Sequence, residues 1–324
     1  MKRRTFLQAS LGAAMAGVLE VHAGERQWHE RQLVGLGTTL SLRVAHRDPV
    51  LAQRGLDAAV ATIRHVEAQM SLFDPGSALS RLNREGVLHN PHPDLLKLLR
   101  IAQSVSLRSH GAFDVTVQPL WQVFEAAQRS ASLPSASAVR QARARVGWQA
   151  LDISVERIRF TKPGMAVTLN GIAQGYAADR VRQQLQASGI AHALINTGEW
   201  TALGQADEPQ GWTLGIASPR DERMLMASLR MDGRSIATSA DNQTFFSHDL
   251  KNHHIFDPLT GYSPIDLAGV TVAAHSCTMA DALTKVMFVA GMQQALVLAQ
   301  HWRVDVLLVD KAGRWQATPG LRLV

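Results

Sequence analysis

Six segments of this 324-residue chain gather glycine, carboxylate, hydroxyl and imidazole groups in the loops and element ends where functional groups concentrate. Leu169-Asn170-Gly171-Ile172-Ala173-Gln174-Gly175-Tyr176 opens a helical stretch. Gly171 and Gly175 lack Cβ atoms, so a ligand can approach backbone N–H groups there, and a helix N-terminus favours phosphate charge. The same two glycines would also suit plain packing of a helix against its neighbour. Phe73, beside Asp74-Pro75 and shortly after Met70, offers a ring that could stack on a planar ligand or join the core. Asp114, in Gly111-Ala112-Phe113-Asp114, could accept hydrogen bonds from a ligand or cap local backbone. His248, His253 and His254 suggest a metal, but adjacent residues of a strand point to opposite faces, so His253 and His254 do not easily share an ion. The remaining segments are Asn196-Thr197-Gly198-Glu199, the run from His253 through Asp257-Pro258-Leu259-Thr260-Gly261, and Ala280-Asp281-Ala282-Leu283.

The elements that must position these groups are partly legible. Alternating apolar and polar residues from Trp28 to Val44, around Gly35-Leu36-Gly37, predict strand, tight turn and strand. The Gly-x-Gly there is no dinucleotide fingerprint, because a strand pattern and not a helix follows it. Leu56, Val60, Ile63 and Glu67 fall at helical spacing, as do Leu95, Leu98, Leu99, Ala102 and Val105, with a polar loop between the two helices. Residues 130–137, with Pro134, read as a linker. Short strands with Gly, Pro and Asp turns are expected over 148–168 and 212–238, and helices over 173–187 and 279–299. Strand runs with separate helices predict an α+β fold.

A hydrophobic share of 46% and a charged share of 19% describe a globular protein with a full core. The net charge of +6 raises nucleic acid as a partner, but the basic residues are scattered and no basic groove with interleaved aromatics emerges, so none is expected. The basic stretch Arg140 to Arg145 reads as the solvated face of a short helix. Cys277 is the only cysteine, which excludes an intramolecular disulfide, a thiolate metal cluster and a CxxC pair. Lys2-Arg3-Arg4-Thr5-Phe6-Leu7, a weakly apolar run from Leu11 to Leu19 and a small-residue end at Ala23 resemble a twin-arginine export signal. That run is too short and too rich in Ala and Gly to span a bilayer. Residues 1–23 are therefore expected to be a signal, and residues 24–324 a periplasmic domain that does not span the membrane.

The six segments, in their order and spacing, resemble the ApbE family of flavin transferases from about Gln27 onward. The resemblance implies a single two-lobed α+β domain holding FAD, with Mg²⁺ at its diphosphate. The implied reaction moves FMN onto a Thr or Ser of an exported flavoprotein acceptor and releases AMP. The alternatives are a flavin carrier or assembly factor, and an FAD hydrolase. Implied cofactor contacts are Met70, Phe73, Gly111, Ala112, Phe113, Asp114, Asn170, Gly171, Gln174 and His254. Asp281 and His254 are the implied catalytic groups, His254 as proton acceptor or phosphate neighbour. Ala173 and Asp281 are the implied metal ligands. The chain departs from the family pattern at Thr168, Asn170 and Gln174, where Asp, Gly and Lys are usual, and at Lys285, where a ligand Thr is usual. Two outcomes follow. Thr284 could rotate to complete the ion's ligands, or Lys285 could pair with Asp281 and stand in for the ion.

Overall fold

The first hairpin, β1 (Gln27–Gly35) and β2 (Thr38–His46), closes on a two-residue turn in which Leu36 and Gly37 both have positive φ, 48° and 78°. That backbone matches the right-handed twist of paired strands. Leucine is an unusual choice there, and Leu36 is tied down at both ends: its N–H donates to Glu67 Oε1 at 2.7 Å and its carbonyl accepts from Gln174 Nε2 at 3.3 Å. The computed structural model describes residues 26–207 and 211–324. The export-signal segment, residues 1–23, lies outside them.

Helix α1 (Pro49–Met70) starts where Asp48 caps the Val50 and Leu51 N–H groups, with Pro49 in the first turn, and it buries Leu56, Ile63 and Met70 seven residues apart. There follow α2 (Ala78–Glu85), β3 (Val87–His89), α3 (Pro93–Arg108), α4 (Gln118–Gln128), α5 (Ala136–Arg143), β4 (Leu151–Ile153) and β5 (Arg157–Phe160). After α6 (Ala173–Ala187) come β6 (His192–Asn196), β7 (Trp200–Leu203), β8 (Thr213–Ala217), β9 (Leu225–Arg230), β10 (Ser235–Ala240) and β11 (Leu267–Ala274). The chain closes with α7 (Cys277–Trp302), β12 (Asp305–Asp310) and β13 (Trp315–Ala317).

Eight strands form one antiparallel sheet in the order β1-β2-β6-β7-β10-β11-β12-β13. Helices α1, α6 and α7 cover one face, over β1–β2, β6–β7 and β10–β12 respectively. The β8–β9 ribbon covers the other through Trp212, Leu214, Ile216 and Leu229. Strand β11 is therefore buried along its whole length, with Val270 and Val272 facing the helices and Ala268 and Ala273 facing the ribbon. The smaller lobe packs α2 and α3 with the sheet β3-β5-β4. Leu95, Leu98 and Leu99 of α3 share one continuous core with Val286, Met287 and Phe288 of α7, so the lobes make a single α+β domain, as expected.

Two expectations need correction. The polar loop after Met70 contains a helix, α2, capped by Ser77 at its start and by left-handed Gly86 at its end. Residues 130–137 are not a linker between domains, since α4 and α5 on either side pack together with Phe246 and Phe256. Helix α7 has the length and mean hydropathy, 1.4, of a membrane-crossing segment, yet half of that window is buried in the protein and Gly291 interrupts it with φ 75°. It is the core helix of the sheet.

Candidate active site

The backbone at 165–171 is where the functional segments meet. Asn83, on α2, makes a two-way amide pair with Val167: its Nδ2 donates to the carbonyl at 2.8 Å and its Oδ1 accepts the N–H at 2.7 Å. The Thr168 N–H donates to the Val115 carbonyl at 2.8 Å, which fastens the Asp114 segment to the same place. Gln174 carries the stitching onward, because its carbonyl accepts from Thr197 Oγ1 at 2.8 Å and its side-chain amide lies under Gly198. A Cβ on Gly198 would come within 2.5 Å of that amide. The segments containing Met70 to Asn83, Gly111 to Asp114, Leu169 to Gly175 and Asn196 to Glu199 are thus one connected structure.

At its centre α6 and α7 touch. Asp179 fixes their relation by accepting the Cys277 and Thr278 N–H groups at 2.9 Å each, which caps α7 from α6. Gly175 allows the contact, since a Cβ there would fall 2.3 Å from the Cys277 carbonyl oxygen. This close packing, and not ligand approach, is what Gly175 serves. Its N–H donates to Asp281 Oδ2 at 3.0 Å, so the N-terminus of α6 receives a carboxylate from within the protein.

Asp281 is fully buried. Its other oxygen, Oδ1, accepts from Lys285 Nζ at 2.5 Å, and the ammonium also donates to the Asp281 carbonyl at 3.2 Å. The Lys285 stem runs beside Gly171, where a Cβ would lie 3.1 Å from Cε. Glu199 is a buried acid that the sequence reading quoted without assigning it a role. Its Oε2 accepts the Thr238 N–H at 3.0 Å, and burial together with the neighbouring Asp281 charge pushes its pKa well above the ordinary carboxylate value. Burial thus favours the protonated form of Glu199, and Lys285 is the cation beside both acids.

The resemblance implies Mg²⁺ at this place, and the residues do not fit one. Magnesium demands oxygen ligands in near-octahedral geometry at about 2.1 Å. Asp281 Oδ1 is taken by an ammonium, Oδ2 by an amide N–H. The Thr284 hydroxyl is spent elsewhere, donating to the Asp281 carbonyl at 2.7 Å and pairing with Ser239 Oγ at 2.8 Å. The rotation that would bring it to the Asp281 carboxylate is absent. Ala173 is buried at the first position of α6.

The remaining expected contacts are distributed unevenly. Phe73 is 57% exposed and Asn170 is exposed, as ligand contacts can be, whereas the Met70 and Phe113 side chains are buried in the core and could touch a ligand only through backbone. Ala112 is half-buried, and Gly111 follows His110 through positive φ, 84° and 53°. Asp114 is spent on its surroundings: Oδ1 accepts the Thr116 N–H and hydroxyl, Oδ2 accepts the Trp148 N–H, and burial raises its pKa. Gly111 and Asp114 line a groove of about 620 Å³ with Arg143, Lys162, Trp148 and Leu259. That groove joins the Gly-Ala-Phe-Asp and Asp-Pro-Leu-Thr-Gly segments beneath two cations, a combination suited to a phosphorylated aromatic ligand.

The histidines divide as strand alternation suggested. His253 is buried, its Nε2 3.0 Å from the Pro264 carbonyl, and burial lowers its pKa to about 4. It is a neutral structural histidine. His254 places Nδ1 3.1 Å from the Thr244 carbonyl, so Nδ1 donates its N–H there and the ring orientation is set.

With this geometry in place, comparison with known proteins decides the family, for the model of the ApbE family matches residues 36–308. The chain belongs to the ApbE family. An FAD:protein FMN transferase of Klebsiella pneumoniae is 29% identical over 285 residues, covering 85% of this chain and 87% of the relative. One of Haemophilus influenzae is 29% identical over 315 residues, covering 91% of each. The crystal structure of the Pseudomonas stutzeri flavinyl transferase ApbE, apo form, superposes with a TM-score of 0.76 at 26% identity, over 90% of this chain and 94% of that one.

Proposed function

We propose that this ApbE-family chain is an FAD:protein FMN transferase acting on an exported flavoprotein acceptor. The observation that carries the reading is the family match over residues 36–308, on a fold that binds the corresponding segments into one structure. The acceptor's Thr or Ser hydroxyl oxygen attacks the FMN-side phosphorus of the FAD diphosphate. The bond from that phosphorus to the AMP oxygen breaks, and the hydroxyl proton passes to a base. His254 is the candidate for that base, its ring oriented by the Thr244 carbonyl beside Nδ1. Asn170, Gly171 and Gln174 line the turn where the diphosphate would lie, and half-exposed Phe73 is the candidate aromatic for the isoalloxazine or adenine. Charge neutralisation and positioning supply most of the rate in such transfers, and Lys285 lies beside the turn.

The paired arginines at positions 3 and 4 support export by the twin-arginine route, with the reaction in the periplasm as part of this reading. Residues 24–324 incubated with FAD and a Thr-bearing acceptor domain should yield AMP and an FMN-bearing acceptor, separated by chromatography. Bound but uncleaved FAD would support a carrier instead. AMP with free FMN would indicate a hydrolase.

A further inference from the structure

Lys285 is the cation whose stem lies along the Gly171 turn. We propose that the Lys285 ammonium is the resident cation of the flavin site, so that this protein binds FAD without a divalent metal ion. The inference rests on the flavin reading above and deepens it.

The ammonium sits where an ion bound to Asp281 would sit, 2.5 Å from Oδ1, and its second bond to the Asp281 carbonyl fixes it there. Spacing of four residues on α7 puts it one turn from the carboxylate it pairs with. Its stem cannot simply swing aside, because Cγ, Cδ and Cε lie along Gly171 and only 18% of the side chain is exposed. The exposed remainder adjoins the turn whose outer residue, Asn170, is open to solvent. An anion at that turn therefore meets a fixed positive charge already balanced from behind by Asp281. Thr284, the other side chain with a hydroxyl in reach, is bonded to Ser239 and to backbone. Both Asp281 carboxylate oxygens and the Thr284 hydroxyl thus have protein partners, and Lys285 supplies the positive charge beside the turn.

A lysine in this role changes what the site responds to. An ammonium cannot be removed by chelators and does not compete with other divalent ions. A monovalent charge attracts a diphosphate roughly half as strongly as a divalent one at equal distance, so FAD should bind more weakly than to a metal-loaded site, yet constantly across metal concentrations.

The test is FAD titration into residues 24–324 by calorimetry, once in EDTA and once in excess MgCl₂, with MgCl₂ alone as a third titration. The expected result is a Kd that agrees within about twofold between the two buffers, with no heat from MgCl₂ alone. FAD binding that tightens by about tenfold or more with Mg²⁺ would overturn this inference while leaving the flavin reading intact. Failure to bind FAD in both buffers would overturn both. Because Lys285→Met alone strands a buried carboxylate, the matched variant is Asp281→Asn with Lys285→Met, neutral at both positions. It should lose about tenfold or more in FAD affinity with no rescue by Mg²⁺, and unchanged affinity would refute the role given to Lys285.

Discussion

Gly175→Ala is the substitution to which the packing of the site should respond most sharply. The new Cβ would lie 2.3 Å from the Cys277 carbonyl oxygen, 2.7 Å from its carbon and 2.8 Å from Asp281 Cβ. Two of those atoms are backbone of α7, whose start is fixed by Asp179, so α6 and α7 must separate by about 1 Å to reach ordinary contact. Overpacking of that kind costs about 1–3 kcal/mol. Separation also stretches the Gly175 N–H bond to the buried Asp281 carboxylate, now 3.0 Å, and hydrogen bonds to charged groups contribute about 1.5–3 kcal/mol. Alanine returns about 1 kcal/mol through its better helix propensity. The net expectation is a loss of about 1.5–5 kcal/mol. Urea unfolding followed by tryptophan fluorescence should show a lower midpoint with an unchanged slope. A variant within about 0.5 kcal/mol of wild type would refute the view that this contact is what holds Asp281 in place.

Three further outcomes follow from charges and termini. His253, buried and neutral with a pKa near 4, takes up its proton later than the unfolded chain does, so stability should fall as pH drops from about 6.5 toward 4. His253→Gln should flatten that window, whose full depth is about 3 kcal/mol, and an unchanged acid profile would remove His253 as its cause. Glu199 keeps its proton while the unfolded chain loses it above the ordinary carboxylate pKa, so it lowers stability as pH rises. Glu199→Gln should therefore leave stability at pH 7 equal or higher in thermal unfolding, and a loss above about 1 kcal/mol would show that the charged form is needed. Changing Arg3 and Arg4 to Lys should trap unprocessed precursor inside the cell, visible on an immunoblot of cell fractions, and normal processing would exclude the twin-arginine route.

What could be read from the chain alone was what local chemistry governs. Helix α6 falls on the residues its periodicity predicted, 173–187, because Tyr176, Ala177, Val181 and Leu185 place an apolar stripe at helical spacing. The β1–β2 hairpin was equally legible from alternation around Gly37. Helix α2 was hidden because eight residues with three buried positions barely show a period, although Ser77 and Gly86 were signals at both ends. The break at Gly291 could not be seen, since it depends on Asp266, whose Oδ2 accepts the Met292 N–H from 26 residues away.

In the site, the family resemblance brought the right segments forward but could not choose between Thr284 and Lys285. That choice depends on Ser239, which reaches α7 from β10 and engages the Thr284 hydroxyl. Glu199 stood in one of the six segments, but as one acid among many it carried no role. Its raised pKa comes from burial and from the Asp281 charge, and the contacts that bury it are distant in sequence. Asp114 likewise looked free to serve a ligand until Thr116 and Trp148 were seen to occupy it.

The central claim is that this chain moves FMN from FAD onto a protein hydroxyl. The most direct measurement is the intact mass of a Thr-bearing acceptor domain purified from the periplasm after co-expression with the full chain, alongside the same acceptor whose target Thr is changed to Ala. The account predicts a gain of one FMN unit on the first acceptor and none on the second. An acceptor that returns unmodified from cells in which the chain is exported and loaded with FAD would contradict it.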